Sequence, residues 1–190
     1  MTIQDLLAKH GKHFRVIYAD PPWSFADQGT RASPAYSGEQ RKRSHYEIMT
    51  IDEIAAMPIT DLALDDSVLF LWRVAAMQEE ALRVCREWGF VPTAEVVWNK
   101  ITELGTPKIG FGHYVRNAHE VCLIGVRGSM AKRKKVANEP SWFRASPTEH
   151  SAKPEAMRRK IERLYDGPYL ELFARVRRSG WVSWGDGVRP

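Results

Sequence analysis

The chain has 190 residues, 44% of them hydrophobic, and a formal charge of +5. That length supports one domain with a full core, and the apolar fraction is that of a globular protein, which excludes wholesale disorder. No apolar stretch approaches membrane-spanning length, and Met1-Thr2-Ile3-Gln4-Asp5-Leu6-Leu7 lacks the basic-then-apolar order of a signal peptide, so a cytoplasmic protein without a membrane partner is expected.

In chain order, Phe14-Arg15-Val16-Ile17-Tyr18-Ala19 reads as a buried strand that ends in Asp20-Pro21-Pro22-Trp23. Ser24 to His45 is long, with a basic tip at Arg41-Lys42-Arg43, and is expected to be a mobile loop that orders over a ligand. Thr50-Ile51-Asp52-Glu53 has the form of a capping box and predicts a short helix stopping near Pro58. Val68 to Trp72 is a second buried strand. Residues 75–88 suit an amphipathic helix with Met77, Ala81, Val84, Cys85 and Trp88 on one face and Gly89 as its stop.

Ala94–Trp98 and Val121–Val126 are further strands. Cys85 and Cys122 both lie in apolar patterns and read as reduced core residues, and no Cys/His cluster has zinc spacing, so no metal is expected. Residues 129–147 are polar, basic and interrupted by proline, and are expected to be a second flexible loop carrying Lys132-Arg133-Lys134-Lys135 and an isolated Trp142. Lys153–Tyr165 predicts a helix with Met157, Ile161 and Leu164 inward; Tyr169–Phe173 and Trp181–Trp184 are the last strands. Strands alternating with helices imply a single α/β domain with a mainly parallel sheet.

Asp20 therefore stands at the C-terminal tip of a strand, where open α/β sheets bind ligands. The two prolines stiffen the turn and remove N–H donors, so carbonyls there are open to a ligand. A carboxylate, such carbonyls and the Trp23 ring suit a planar molecule with an amino group, such as adenine or cytosine. Asp-Pro-Pro is also an ordinary turn, and a tryptophan after a turn is often a core plug. Charge adds a second pointer: residues 126–178 hold 14 of the 28 Lys/Arg but 6 of the 23 Asp/Glu. A polyanion on one face fits that asymmetry, as does a solvated basic surface.

Asn117-Ala118-His119-Glu120, Glu149-His150-Ser151-Ala152-Lys153-Pro154, Glu171-Leu172-Phe173-Ala174-Arg175 and Gly180-Trp181-Val182-Ser183-Trp184-Gly185-Asp186 each have a purely structural explanation when taken singly. Together with Asp20-Pro21-Pro22-Trp23, Tyr46, Leu69-Phe70-Leu71-Trp72 and Trp98-Asn99-Lys100, in this order from about Arg15 to Val188, they resemble the MT-A70 family of adenine N6-methyltransferases, in its prokaryotic or phage-like branch.

The resemblance implies a Rossmann-like methyltransferase sheet with permuted motif order: the catalytic tetrapeptide comes first and the cofactor-binding strand late. It implies S-adenosyl-L-methionine as methyl donor. Asp20, Pro21, Pro22 and Trp23 are then catalytic, with Asp20 and the Pro21 carbonyl accepting the amine N–H bonds and Trp23 stacking on the base. Ala19, Asp20, Lys153, Glu171, Phe173, Arg175, Arg178 and Asp186 are expected at the cofactor, Lys153 on its methionine carboxylate and Arg175 with Arg178 at its ribose. Asp186 stands where the family often has an amide. Tyr46 is expected against the base, and Arg41, Lys42, Arg43, Lys132, Arg133, Lys134 and Lys135 on phosphates. The expected substrate is adenine in DNA, with RNA or a non-catalytic scaffolding role as alternatives, and a homodimer is a weaker expectation.

Overall fold

A computed structural model describes residues 2–23, 49–110, 112, 114–148, 152–185 and 188. The expected loop over 24–45, with Arg41, Lys42 and Arg43, lies outside the described residues, as do Tyr46, His150 and Asp186.

The elements in chain order are α1 (Ile3–His10), β1 (Phe14–Ala19), α2 (Ile51–Ala55), β2 (Ala63–Arg73), α3 (Gln78–Glu87), β3 (Val91–Lys100), β4 (His119–Arg127), β5 (Trp142–Ala145), α4 (Glu155–Leu164), β6 (Tyr169–Leu172) and β7 (Trp181–Trp184). The strands form a seven-stranded sheet in the order β5-β3-β4-β2-β1-β6-β7. β1 is parallel to β2 and β6, β6 to β7, and β3 to β5, whereas β4 runs against both of its neighbours. The C-terminal tips of the other six strands and the start of β4 thus share one end of the sheet.

Side chains alternate across the strands and fill two cores. Ile17, Ala19, Leu69, Leu71, Leu170 and Leu172 pack with Leu6, Ile54 and the inner face of α3. Val16, Tyr18, Val68, Phe70, Trp72 and Trp98 pack with Met157, Ile161 and Leu164 of α4. Burial on both faces is why β1 and the second half of β2 read as unbroken apolar runs.

Local chemistry explains the boundaries. Thr50 caps α2 through the reciprocal bonds of a capping box with Glu53. α1 has no counterpart among the sequence expectations, although Thr2 and Asp5 form the same device there. Gly89, at φ +81°, turns the chain out of α3 into β3, a conformation that glycine adopts without strain. α4 begins at Glu155 rather than Lys153, because the residue before a proline is pushed out of the helical region. Lys153 is left in extended chain at the sheet's C-terminal end.

The expectation of one loop over 129–147 needs correction. Met130–Arg133 form a 3-10 turn anchored by fully buried Met130, and Trp142–Ala145 join the sheet as β5. Four residues on a sheet edge, alternately exposed and half-buried, carry too little apolar signal to be read as a strand.

Candidate active site

Asp20 follows β1 at the sheet end described above, partly exposed beside the start of β4. Lys153, brought there from the chain before α4, places its Nζ 2.9 Å from Asp20 Oδ2 and 3.3 Å from Glu120 Oε2. Lys100, at the tip of β3, lies 2.5 Å from Glu120 Oε1. Lys100, Glu120, Lys153 and Asp20 form a row of alternating charge across four strand ends. Burial pushes the Lys153 ammonium down, but Asp20 and Glu120 more than reverse this and hold it above the ordinary lysine value. Burial likewise pushes Glu120 up, and Lys153 and Lys100 bring it below the ordinary carboxylate value. Glu120 and Lys153 are therefore both charged at neutral pH.

Beneath it lies an aromatic floor. The Lys153 ammonium sits 5.4 Å from the centre of the Trp72 ring, a cation–π contact. Trp72 Nε1 donates to Tyr18 Oη at 2.7 Å, and Trp98 meets Trp72 edge-on at 6.2 Å. Burial drives the Tyr18 phenol well above its ordinary value, so it stays neutral and can accept from the indole.

The turn after Asp20 is tighter than its sequence suggests. The Pro21 carbonyl accepts the Trp23 N–H at 2.8 Å and the Pro22 carbonyl accepts the Met49 N–H at 3.2 Å, so the expectation that these carbonyls lack partners is corrected. Each carbonyl oxygen retains a second lone pair. Trp23 is pinned by its own Nε1–H to the Trp72 carbonyl at 3.0 Å and leans on the α3-side core.

The other expected residues divide. Ala19 ends β1 with its side chain in the core, and its backbone borders the Asp20 turn. Phe173 follows β6 at φ +60°, a conformation rare for a residue with a Cβ and one that clusters at functional sites. Its ring meets Trp184 edge-on at 5.5 Å. A Cβ on Gly185 would lie 2.5 Å from the Ala174 carbonyl oxygen, so only glycine lets the tips of β6 and β7 approach this closely. Arg175 follows in the β6–β7 connection, and Arg178 reaches Glu155 Oε2 at 3.4 Å. Glu171, expected at the cofactor, instead gives its buried carboxylate to Arg158, which grips it through Nε at 3.0 Å and through Nη2. Burial pushes the Glu171 carboxyl up against that pull.

Lys132, Arg133, Lys134 and Lys135 do not gather at the Asp20 end. Arg133 pairs at 2.8 Å with Asp66, near the opposite end of β2, and Lys135 at 2.8 Å with Asp166 beyond α4. Lys134 donates to the Ala137 carbonyl at 3.1 Å, and Lys132 is exposed. Conversely, Glu120, Lys100 and Trp72 join the site without having been singled out as site residues. Their signals in the sequence were the polar start of an apolar strand and their places in the segments 69–72, 98–100 and 117–120, which carry the family resemblance. Among the described residues no group of three or more His, Cys, Asp or Glu could hold a metal ion, and no helix is long and apolar enough to cross a membrane.

A mostly parallel α/β sheet with an Asp-Pro-Pro-Trp turn and a half-buried lysine at its C-terminal end fits a Rossmann-like methyltransferase. The chain belongs to the MT-A70 family, whose profile matches residues 14–187; methyltransferases of this family depend on S-adenosylmethionine. It is 26% identical over 186 residues to the type II methyltransferase M.MunI of Mycoplasma sp., covering 92% of this chain and 77% of that protein. It is 29% identical to the N6-methyladenosine RNA methyltransferase MTA1 of Pyricularia oryzae, covering 98% of this chain and 51% of the relative. With the human N(6)-adenosine-methyltransferase catalytic subunit METTL3 the identity is 28%, over 92% of this chain but 29% of the relative.

Proposed function

We propose that this protein transfers a methyl group from S-adenosylmethionine to the exocyclic 6-amino group of adenine in DNA. The observation that carries the reading is Asp20, held at the sheet's ligand-binding end between the rigid proline turn and the Lys153 ammonium. The adenine amine is a poor nucleophile because its lone pair is delocalised into the ring. Asp20 and the spare lone pair of the Pro21 carbonyl each accept one of its N–H bonds, drawing the nitrogen towards tetrahedral geometry and freeing the lone pair. Catalysis then rests on positioning and electrostatics, with no covalent enzyme intermediate.

The donor set suits the cofactor's mixed charge. Two of the three ammonium N–H groups of Lys153 serve Asp20 and Glu120, which leaves one for a ligand carboxylate. The close tips of β6 and β7, with Phe173 and Arg175, offer backbone and guanidinium groups to a ribose. When bound, the cofactor supplies an electrophilic methyl group; the chain's own residues orient the amine and exclude water. Trp23 and Tyr46 are the proposed walls against the base, and Arg41, Lys42, Arg43, Lys132 and Asp186 keep their proposed roles towards phosphate and cofactor. A homodimer remains part of this proposal.

DNA is preferred because the chain spans most of the type II methyltransferase it resembles. RNA is the second reading, supported by the relative named for RNA. Incubating the protein with methyl-labelled cofactor and adenine-containing single- and double-stranded DNA and RNA tests both. Label on adenine in DNA is expected. Label confined to RNA would move the substrate, and no label on any strand, with cofactor bound, would favour a scaffolding role.

A further inference from the structure

Away from the cleft, α4 and the chain leading into β5 enclose a groove made of two adjoining cavities of ≈ 530 and ≈ 560 Å³, which share Arg159 and Arg163. Four cations, Lys135, Arg159, Lys160 and Arg163, line it with two carboxylates, Glu139 and Glu162. Glu139 is already held by Lys160 at 2.5 Å and Arg163 at 2.7 Å, and Glu162 accepts the Trp181 indole N–H at 2.7 Å. Arg159 is exposed and makes no ion pair among the described residues. The groove therefore presents unneutralised positive charge.

At its mouth stands Trp142, 49% exposed on the outermost strand, with the Arg144 guanidinium 5.6 Å from its ring centre. Phe143 between them turns into the core, so the two exposed side chains share one face of β5. A flat apolar ring flanked by guanidinium groups suits an unpaired base and its phosphates. A charged residue on a four-residue edge strand disfavours the rival occupant, an added protein strand. β5 also points to the active site: its last residue, Ala145, is in register with Lys100, which bonds Glu120 beside Lys153 and Asp20.

We propose that Trp142, Arg144 and Arg159 form a second nucleic-acid contact outside the cleft, where the indole stacks on an unpaired base of the substrate strand and the two guanidinium groups take the flanking phosphates. The proposal rests on the nucleic-acid substrate argued above and specifies which surface carries the strand.

The test measures binding of a fluorescein-labelled, mixed-sequence single strand of about ten nucleotides, a length in the range that one stacking platform covers. The parent protein, Trp142→Ala, Trp142→Phe and Arg159→Gln are compared, in DNA and RNA arms, with thermal melting of each variant as the check on folding. About ten-fold weaker binding is expected for Trp142→Ala, near-normal binding for Trp142→Phe, and a smaller loss for Arg159→Gln. If the parent protein methylates the strand while Trp142→Ala and Arg159→Gln bind it as tightly as the parent does, this contact is wrong and the methyltransferase reading stands. If the parent methylates no nucleic acid, both fall together.

Discussion

Lys153 sits between two carboxylates, so its charge decides whether Asp20 and Glu120 can share one corner. Replacing it with methionine leaves both carboxylates facing a site only partly open to water, a loss of about 3 kcal/mol for a broken, largely buried ion pair. Denaturant unfolding of Lys153→Met should show a fall of that order; unchanged stability would mean that solvent already screens the row. At Asp20 the prediction concerns rate. Asp20→Asn keeps an acceptor but removes its charge, and about a 100-fold fall in methyl transfer is expected, comparable to losing one preorganised electrostatic contact. Equilibrium dialysis should find cofactor binding largely kept, and near-normal turnover would refute the role of the carboxylate. Asp20, Trp23 and Lys153 could be picked out in the sequence because their neighbours are distinctive. Glu120 was legible as part of a distinctive segment but not as a partner of Lys153, since a carboxylate opening a strand joins this corner only when that strand runs against its neighbours.

β4 is that reversed strand, and Gly125 shows how tightly it is covered. A Cβ there would lie 2.5 Å from Cys85 Sγ on α3 and 2.8 Å from Phe90 Cβ. Gly125→Ala should therefore push α3 off the sheet and lower stability by about 1–3 kcal/mol, the usual cost of overfilling a core. A drop in melting temperature would register it, whereas an unchanged melt would show that α3 can shift freely. The core of this element pair was legible in the sequence, because helical spacing put Ala81, Val84, Cys85 and Trp88 on one stripe. β1 and β2 were legible for their unbroken apolar runs. β5 was not, and neither was α1: the one is a short edge strand, and the other buries only Leu6 fully. Such elements exist through tertiary contact, which local pattern does not record.

Over the whole molecule, charge sets both a pH window and a salt response. Glu120 has a folded-state value below its ordinary 4.5, so its contribution is present above about that pH and is lost as pH falls. Lys153 is raised above 10.5, so its contribution is present below that pH and is lost as pH rises. The row should give a stability plateau between these limits, and Glu120→Gln should flatten its acid limb in melts recorded against pH. The salt response depends on where free cations lie, which total charge could not reveal. The basic run at 132–135 looks like one phosphate grip, yet the fold ties Arg133 to Asp66 and Lys135 to Asp166, while Arg144 lies by an exposed indole and Arg159 lines the same groove. On a single strand each neutralised phosphate steepens log K against log salt by about 0.7, so a four-fold rise in salt weakens binding about 2.6-fold per contact. Arg159→Gln should accordingly make the slope shallower by about 0.7, whereas Arg133→Gln should leave it close to the parent value because that guanidinium is already engaged. Anisotropy titrations at several salt concentrations separate the two, and the opposite pattern would put the strand at the far end of β2 instead of along β5.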